Sequence, residues 1–318
     1  MTSIAWGLFF TIYLTLLVID LGVFSRESSV LTITQALKRT LIWIAVALAF
    51  GVFVYYLYEN PLPGAVSALS GSEAAVQYLT GYILEWSLSV DNIFVIAIIF
   101  TYMNIPMQYQ YRVLFWGIVG AVVLRGVMIM AGAALINTFD WSFYLFGAIL
   151  IYSAARMLKQ DDDFDPSKSV LIKLARRVYP ITDQLEGNRF FTRLNGRSAS
   201  TPLFVTLLFV DLADVVFAVD SIPAVFAVTQ DPFIVFTSNA FAILGLRSLY
   251  FAVAGLMALF KYLKISLVFV LGFIGVKMMM QHHLAVSNLL SLTVILTFLL
   301  IGVLASIRAN KREAALRQ

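Results

Sequence analysis

Glu85-Trp86-Ser87-Leu88-Ser89-Val90-Asp91-Asn92 is a polar stretch inside the otherwise apolar run 75–102. The run is long enough to cross a bilayer, since a helix needs about 20 residues to do so. A second apolar run contains a similar stretch, Asp214-Val215-Val216-Phe217-Ala218-Val219-Asp220-Ser221. In both stretches an acid is followed six residues later by an aspartate and a small polar residue. The two stretches together predict a polar site buried in a membrane domain.

The composition is that of a polytopic membrane protein. Of the 318 residues, 61% are apolar, well above the ~45–50% of soluble domains, and the mean hydropathy is +0.89. The chain contains no cysteine, which excludes disulfides and thiolate metal sites. The net charge of +4 is modest, so nucleic acid is not an expected partner, and nothing in the pattern predicts an enzyme.

Nine apolar runs predict about nine transmembrane helices in an all-α fold. Their approximate ranges are 4–24, 40–58, 75–102, 113–136, 141–158, 201–226, 232–258, 263–281 and 285–307. The first is expected to be a retained span rather than a cleaved signal peptide. Lys and Arg occur in one alternate set of connections and are absent from the other. The positive-inside rule therefore predicts an outer N-terminus and a cytoplasmic C-terminus.

The two polar stretches belong to a predicted internal repeat. A shift of 129 residues aligns Glu85 with Asp214 and Asp91 with Asp220, and a shift of 122 aligns Arg125 with Arg247. Spans three to five would thus correspond to spans six to eight. Because each unit has an odd number of spans, the units would enter the membrane from opposite sides, as in many secondary transporters.

This plan predicts one transport domain over residues 1–318. The predicted parts are repeat 1 at 74–158, a cytoplasmic loop at 159–199, repeat 2 at 200–282, the last span at 283–307 and a basic cytoplasmic tail at 308–318. The loop piece 170–178 is basic and amphipathic at helical spacing, which predicts a helix on the inner membrane surface. Spans one, two and nine would be peripheral additions.

Seven charged residues fall deep in predicted spans. They are Glu85, Asp91, Asp211, Asp214, Asp220, Arg125 and Arg247. Ionised residues at such depth are costly and are usually paired or functional. Five carboxylates and two guanidiniums leave three negative charges, so a bound cation, protons or both are expected to complete the balance. Without cysteine or a buried histidine, an all-oxygen ligand set favours hard cations such as Mn²⁺, Mg²⁺ or Ca²⁺.

The predicted metal site has seven residues. They are Glu85, Asp91, Asn92, Asp211, Asp214, Asp220 and Ser221. On a straight helix, residues six apart point in different directions, so the four repeat-related acids could share one ion only if a helix unwinds near the polar stretch. Pro223 favours such a break in the second stretch. Asp20 and Asn239 are secondary candidates, Asp20 as an interfacial residue and Asn239 as either a ligand or an interhelical hydrogen-bond partner.

Several alternatives stay open for these residues. The acids could relay protons without metal, or they could pair with arginine for purely structural reasons. Arg125 and Arg247 are expected to be counter-ions or gating residues, since a positive charge repels a cationic substrate. A membrane scaffold that assists other proteins, and an exporter of another small solute such as an amino acid, are the competing functional classes.

The sequence resembles the TerC family. The resemblance rests on Glu85-x-x-Leu88-Ser89-x-Asp91-Asn92, on Asp214-x-x-Phe217-Ala218-x-Asp220-Ser221-Ile222-Pro223-Ala224, and on the run 237–247. It covers essentially the whole chain, and the length and nine-span plan look like those of Alx-type members. It implies an exporter of divalent metal, chiefly Mn²⁺, whose acidic motif residues map onto Glu85, Asp91, Asp211, Asp214 and Asp220.

The resulting expectation is Mn²⁺ export from the cytoplasm by alternating access, with carboxylates of spans three and six forming a midplane site. Proton exchange is a natural hypothesis, because release of the cation leaves a strongly negative site. No tightly bound cofactor is expected, and Mn²⁺ would be the transported ion. The predicted location is the inner (plasma) membrane, and a homo-oligomer is left open.

Overall fold

The computed structural model describes most of the chain. The described residues are 2–24, 32–63, 69–159, 187–194, 197–254, 262–281 and 286–316. Most of the predicted loop 159–199, including the predicted amphipathic piece 170–178, lies outside these ranges, and so does the end of the basic tail.

Ten helices form nearly all of the described structure. They are α1 (Ser3–Phe24), α2 (Ile33–Glu59), α3 (Gly71–Tyr102), α4 (Met107–Thr138), α5 (Ser142–Lys159), α6 (Pro202–Phe226), α7 (Pro232–Leu244), α8 (Leu246–Ala254), α9 (Leu263–Met279) and α10 (Asn288–Leu316). Each of the nine predicted spans contains a helix, and the seventh contains the pair α7 and α8.

Length and hydropathy support fewer spans than nine. In the described part of the chain, α1, α2, α3, α4, α6 and α10 are long and apolar enough to cross a membrane. Helices α7 and α8 together are also long and apolar enough to cross, but they meet at a bend of 45°. Helices α5 and α9 are short for a full crossing, with 18 and 17 residues. A multi-pass membrane fold follows, while the count of nine stays a prediction.

The expectation of a purely helical fold was wrong in one place. Strands β1 (Phe191–Leu194) and β2 (Arg197–Ser200) form an antiparallel hairpin just before α6, with Phe191 opposite Ser200. The intervening Asn195-Gly196 is a strong sequence signal for a tight hairpin. The hairpin is anchored to α6 because the Thr201 hydroxyl donates to the Arg189 carbonyl at 2.7 Å.

Side-chain caps fix several helix starts. Thr32 with Gln35, and Ser70 with Glu73, form capping boxes at α2 and α3, in which each pair satisfies two backbone N–H groups. Asp231 caps α7 by accepting from the N–H of Phe233 at 2.9 Å.

The helices that pack most closely come from different predicted repeat units. Helix α4 packs on α6, α3 packs on α7, and α5 packs on α9. The α5–α9 crossing requires small residues, because a Cβ added to Gly147 would lie 2.9 Å from the Gly275 carbonyl oxygen. In the predicted repeat, α3 corresponds to α6 and α4 corresponds to α7. The contact between α4 and α6 is then the repeat-related counterpart of the contact between α7 and α3. The inverted relation itself stays a prediction.

Candidate functional site

Arg125, on α4, is the centre of a buried polar cluster. Its Nε and Nη2 donate to the two carboxylate oxygens of Asp214, at 3.0 and 2.7 Å. Its Nη1 donates to Glu85, to Ser221 Oγ at 3.2 Å and to Asn239 Oδ1 at 3.1 Å. We refer to these five residues as the Arg125 cluster.

Four helices supply the cluster, two from each predicted repeat unit: α3, α4, α6 and α7. Asp214 and Ser221 both reach the guanidinium because residues seven apart lie on one face of a continuous helix. Arg125 is 2% exposed and Glu85 is fully buried, while Asp214 is 16% exposed. Two carboxylates against one guanidinium leave one net negative charge in a poorly solvated place, and such a charge favours a cation nearby.

A small, mostly apolar pocket with a few polar residues adjoins the cluster. Its free volume is about 20 Å³, room for about one water molecule, and its polar lining consists of Ser89, Asn92, Arg125 and Asp214. Ser89 is 1% exposed, and its hydroxyl has no hydrogen-bond partner among the described residues. Buried polar groups normally have a partner, so this hydroxyl indicates a place for a solvent molecule or a ligand.

On α3 and α4 the pocket extends from the cluster in one direction. Its α3 lining begins four residues after Glu85, and its α4 lining ends at Arg125, with the other α4 residues four or more positions earlier in the chain. The remaining lining is mostly apolar and includes Ile96, Leu114, Ile118, Val210, Phe217 and Leu246. The charged groups are therefore concentrated at the inner end of an otherwise apolar passage.

Asp211 lies one turn from Asp214 but outside the cluster. Its carboxylate faces α4 at Gly120, where an added Cβ would lie 2.8 Å from Asp211 Oδ1. This oxygen is buried and has no hydrogen-bond partner among the described residues. The glycine thus provides the space in which the carboxylate of Asp211 lies.

The structure does not gather the four repeat-related acids at one point. The predicted unwinding was wrong, because α3 and α6 are continuous through both polar stretches and Pro223 lies inside α6. A step of six residues turns a side chain roughly 120° around a helix. Asp91 accordingly does not line the pocket, and Asp220 accepts instead from Ser153 Oγ of α5 at 2.5 Å.

The break in the helices occurs elsewhere. Helix α7 ends at Leu244, Gly245 follows, and α8 begins at Leu246, with a bend of 45° between the two helices. The bend lies in the stretch 237–247, close to the pocket residues Ile243 and Leu246. No proline lies at this bend; the residue between the two helices is Gly245.

The two repeat-related arginines have different partners. Arg247 does not mirror Arg125 but pairs with Asp20 of α1, at 2.8 Å from Nη2 to Oδ2. The same nitrogen donates to the Asp20 backbone carbonyl at 3.1 Å. Both side chains are less than a tenth exposed. Helix α1 is therefore tied to the second unit by a buried ion pair, which goes beyond the peripheral role expected of it.

The predicted site residues thus separate into groups. Within the described ranges, no three His, Asp or Glu side chains form a group that could hold a metal ion, so the seven-residue site is not assembled in this conformation. Glu85, Asp214 and Ser221 meet at Arg125, and Asn92 lines the adjoining pocket. Asn239, left open between two roles, makes an interhelical hydrogen bond.

Sequence reasoning missed three residues of this region: Ser89, Gly120 and Ser153. Ser89 lies inside the first polar stretch, four residues after Glu85 and so on the same helix face. The contacts of Gly120 and Ser153 depend on how α4 and α5 pack against α6, which the sequence pattern does not specify.

Comparison with known proteins decides the family. The family model described as "Integral membrane protein TerC family" matches residues 70–314. The chain belongs to the TerC family. The matched range includes all five residues of the Arg125 cluster, whereas α1 and α2 lie outside it.

Several named proteins are similar to this chain over nearly its whole length. The "Uncharacterized membrane protein STKORF319" of Myxococcus xanthus is 44% identical over 303 residues, which are 95% of this chain and 91% of the relative. The "Putative membrane-bound redox modulator Alx" of Escherichia coli K12 is 40% identical over 315 residues, 98% of this chain and 97% of the relative. No solved structure matches the chain significantly.

Proposed function

We propose that this TerC-family protein exports a divalent metal ion, with Mn²⁺ as the first candidate, from the cytoplasm. The observation that carries the proposal is the Arg125 cluster, in which one buried and one partly buried carboxylate share one guanidinium beside a small pocket. An uncompensated negative charge at the end of an enclosed passage attracts a cation.

The donor atoms favour a hard cation. Ser89, Asn92 and Asp214 offer hydroxyl, amide and carboxylate oxygens to the pocket, and Mn²⁺, Mg²⁺ and Ca²⁺ prefer such ligands. The chain has no cysteine, so a redox role like that named for the Escherichia coli relative would act through the transported metal rather than through thiols.

The predicted orientation supports export. With the N-terminus outside, α3 would run toward the cytoplasm from Gly71 to Tyr102, so the pocket would lie on the cytoplasmic side of Glu85. A cation would enter the pocket from the cytoplasm and stop at Asp214. Alternating access by movement of one unit against the other would then open the cluster to the outside of the inner membrane.

Proton exchange is part of the proposal. Release of the cation leaves the carboxylates of Glu85 and Asp214 with a single guanidinium, and a proton is the simplest replacement for the departing charge. Asp211 is a suitable carrier, because one of its buried oxygens, one turn from Asp214, has no hydrogen-bond partner in the part of the chain that the structure describes. Mn²⁺ transport in liposomes that does not change with pH would exclude this part of the mechanism.

The test of the function is the metal content of cells with and without the protein, across a panel of divalent ions. Expression should lower cellular Mn²⁺ most strongly, and Glu85→Gln and Asp214→Asn should abolish the effect. Glu73→Gln, the same chemical change at an exposed position of α3, should preserve it. Full activity of both cluster variants would favour the membrane scaffold instead.

One observation favours a second candidate, the export of an amino acid. Arg125 lines the pocket, where a guanidinium could receive a substrate carboxylate. Against this, its Nε and Nη2 already form a bidentate contact with Asp214. Efflux of labelled amino acids from loaded liposomes separates the two candidates, because the metal proposal predicts none.

A further inference from the structure

We propose that Arg125 is a built-in competitor of the transported ion: its guanidinium occupies the carboxylates when no metal is bound and leaves them when a divalent ion binds. The inference rests on the proposed function and specifies how the same site would distinguish ions. It makes Arg125 a specificity-determining residue rather than a fixed structural counter-ion.

The first step is that Arg125 occupies the acidic groups of the cluster. It contacts both oxygens of Asp214 and one oxygen of Glu85, and it takes up the acceptors of Ser221 and Asn239 as well. These oxygens are the ones that a hard cation would use. A metal ion can therefore bind both carboxylates only if the guanidinium moves away.

The second step is the charge balance. With Arg125 in place, Glu85 and Asp214 leave one negative charge if both are ionised. If only the two carboxylates and the cation in contact with them are counted, exchange of the guanidinium for a monovalent ion leaves one negative charge, whereas a divalent ion neutralises the pair. Because Coulomb attraction scales with charge, a divalent ion at a similar distance attracts the carboxylates twice as strongly as the guanidinium does. Competition with Arg125 therefore disfavours Na⁺ and K⁺.

The third step is that a displaced guanidinium would have neutral acceptors beside it. Arg125 itself lines the pocket, together with Ser89 and Asn92. The buried hydroxyl of Ser89 has no hydrogen-bond partner among the described residues, so it can accept from a displaced guanidinium. Rotation of the side chain toward Ser89 would exchange carboxylate acceptors for neutral ones, and the pocket, which has room for about one water molecule, would widen as the guanidinium enters.

The chain supplies a matched control in Arg247. This arginine is also buried in a helix and paired with one aspartate, but it lies outside the Arg125 cluster. Removal of either guanidinium abolishes a buried ion pair, so both variants should lose stability. Only the loss of Arg125 should change metal binding.

The experiment measures the dissociation constant of Mn²⁺ for the purified full-length protein in nanodiscs, with MnCl₂ as the probe and NaCl as the competitor. Apparent affinity is reduced by the fraction of molecules that are competent to bind. If Arg125 is displaced in about a tenth of the molecules or fewer, Arg125→Gln should tighten Mn²⁺ binding about ten-fold or more. The same variant should become sensitive to Na⁺, while Arg247→Gln should bind Mn²⁺ like the wild type.

Arg125→Lys serves if the glutamine variant does not fold. Lysine keeps the positive charge but lacks the planar fork that contacts both oxygens of Asp214, so it should compete less and also tighten binding. A folded Arg125 variant that binds Mn²⁺ no more tightly than the wild type overturns the inference. Failure of the wild type to bind Mn²⁺ would instead refute the proposed function.

Discussion

The ion pair between Asp20 and Arg247 should hold α1 against the rest of the membrane domain. The pair has a 2.8 Å contact, and its side chains are 7% and 6% exposed. Removal of one partner from a buried pair leaves an unpaired buried charge and costs about 3–5 kcal/mol. Asp20→Asn should therefore lower the free energy of unfolding by about this amount, even though the Asp20 carbonyl can still accept from Arg247.

Replacement of both partners should cost much less than the two single changes together. The double variant Asp20→Asn, Arg247→Met contains no unpaired charge, so the interaction energy should reach about 2 kcal/mol or more. The assay is thermal unfolding in detergent, followed by tryptophan fluorescence, for the wild type, both single variants and the double variant. Additive losses would show that the two side chains do not stabilise each other, and would refute the buried ion pair.

Three further predictions concern the site. Gly120→Val should impair Mn²⁺ export, because the new Cβ would lie 2.8 Å from Asp211 Oδ1. The control Gly272→Val, whose added Cβ has nothing within 4 Å, should not impair export. Equal export by both variants would contradict the account. Asn92→Leu should fill the pocket and reduce Mn²⁺ flux in proteoliposomes at unchanged thermal stability, and unaltered flux would place the ion path elsewhere. Asp220→Asn should weaken Mn²⁺ binding less than Asp214→Asn does, as measured by calorimetry, because Asp220 lies outside the cluster.

The repeat in the sequence was sufficient to predict that Glu85 and Asp214 would meet. Both are acids at the same position of similar stretches. Two repeat units that pack symmetrically against each other bring equivalent positions to their common interface. Their common partner, Arg125, was predicted as a counter-ion from its depth in an apolar run. These features follow from composition and spacing, which the sequence contains directly.

The repeat could not predict where the two units differ. It suggested equivalent roles for Arg125 and Arg247, but Arg247 pairs with Asp20 of α1, a helix outside the repeat. It also led to the prediction of a helix break near the acids, because residues six apart on a straight helix cannot both reach one ion. The structure keeps both helices intact, places the bend after Leu244 and brings Asp220 to Ser153. These contacts depend on how the helices pack, for which the sequence has no local signal.

The most direct test of the metal-export proposal is Mn²⁺ uptake into inside-out membrane vesicles, followed by quenching of an enclosed metal-sensitive dye. The account predicts uptake by the wild type and by Glu73→Gln, and none by Glu85→Gln or Asp214→Asn present at the same level in the membrane. Wild-type vesicles that take up no Mn²⁺, or cluster variants that take it up at the wild-type rate, would contradict it.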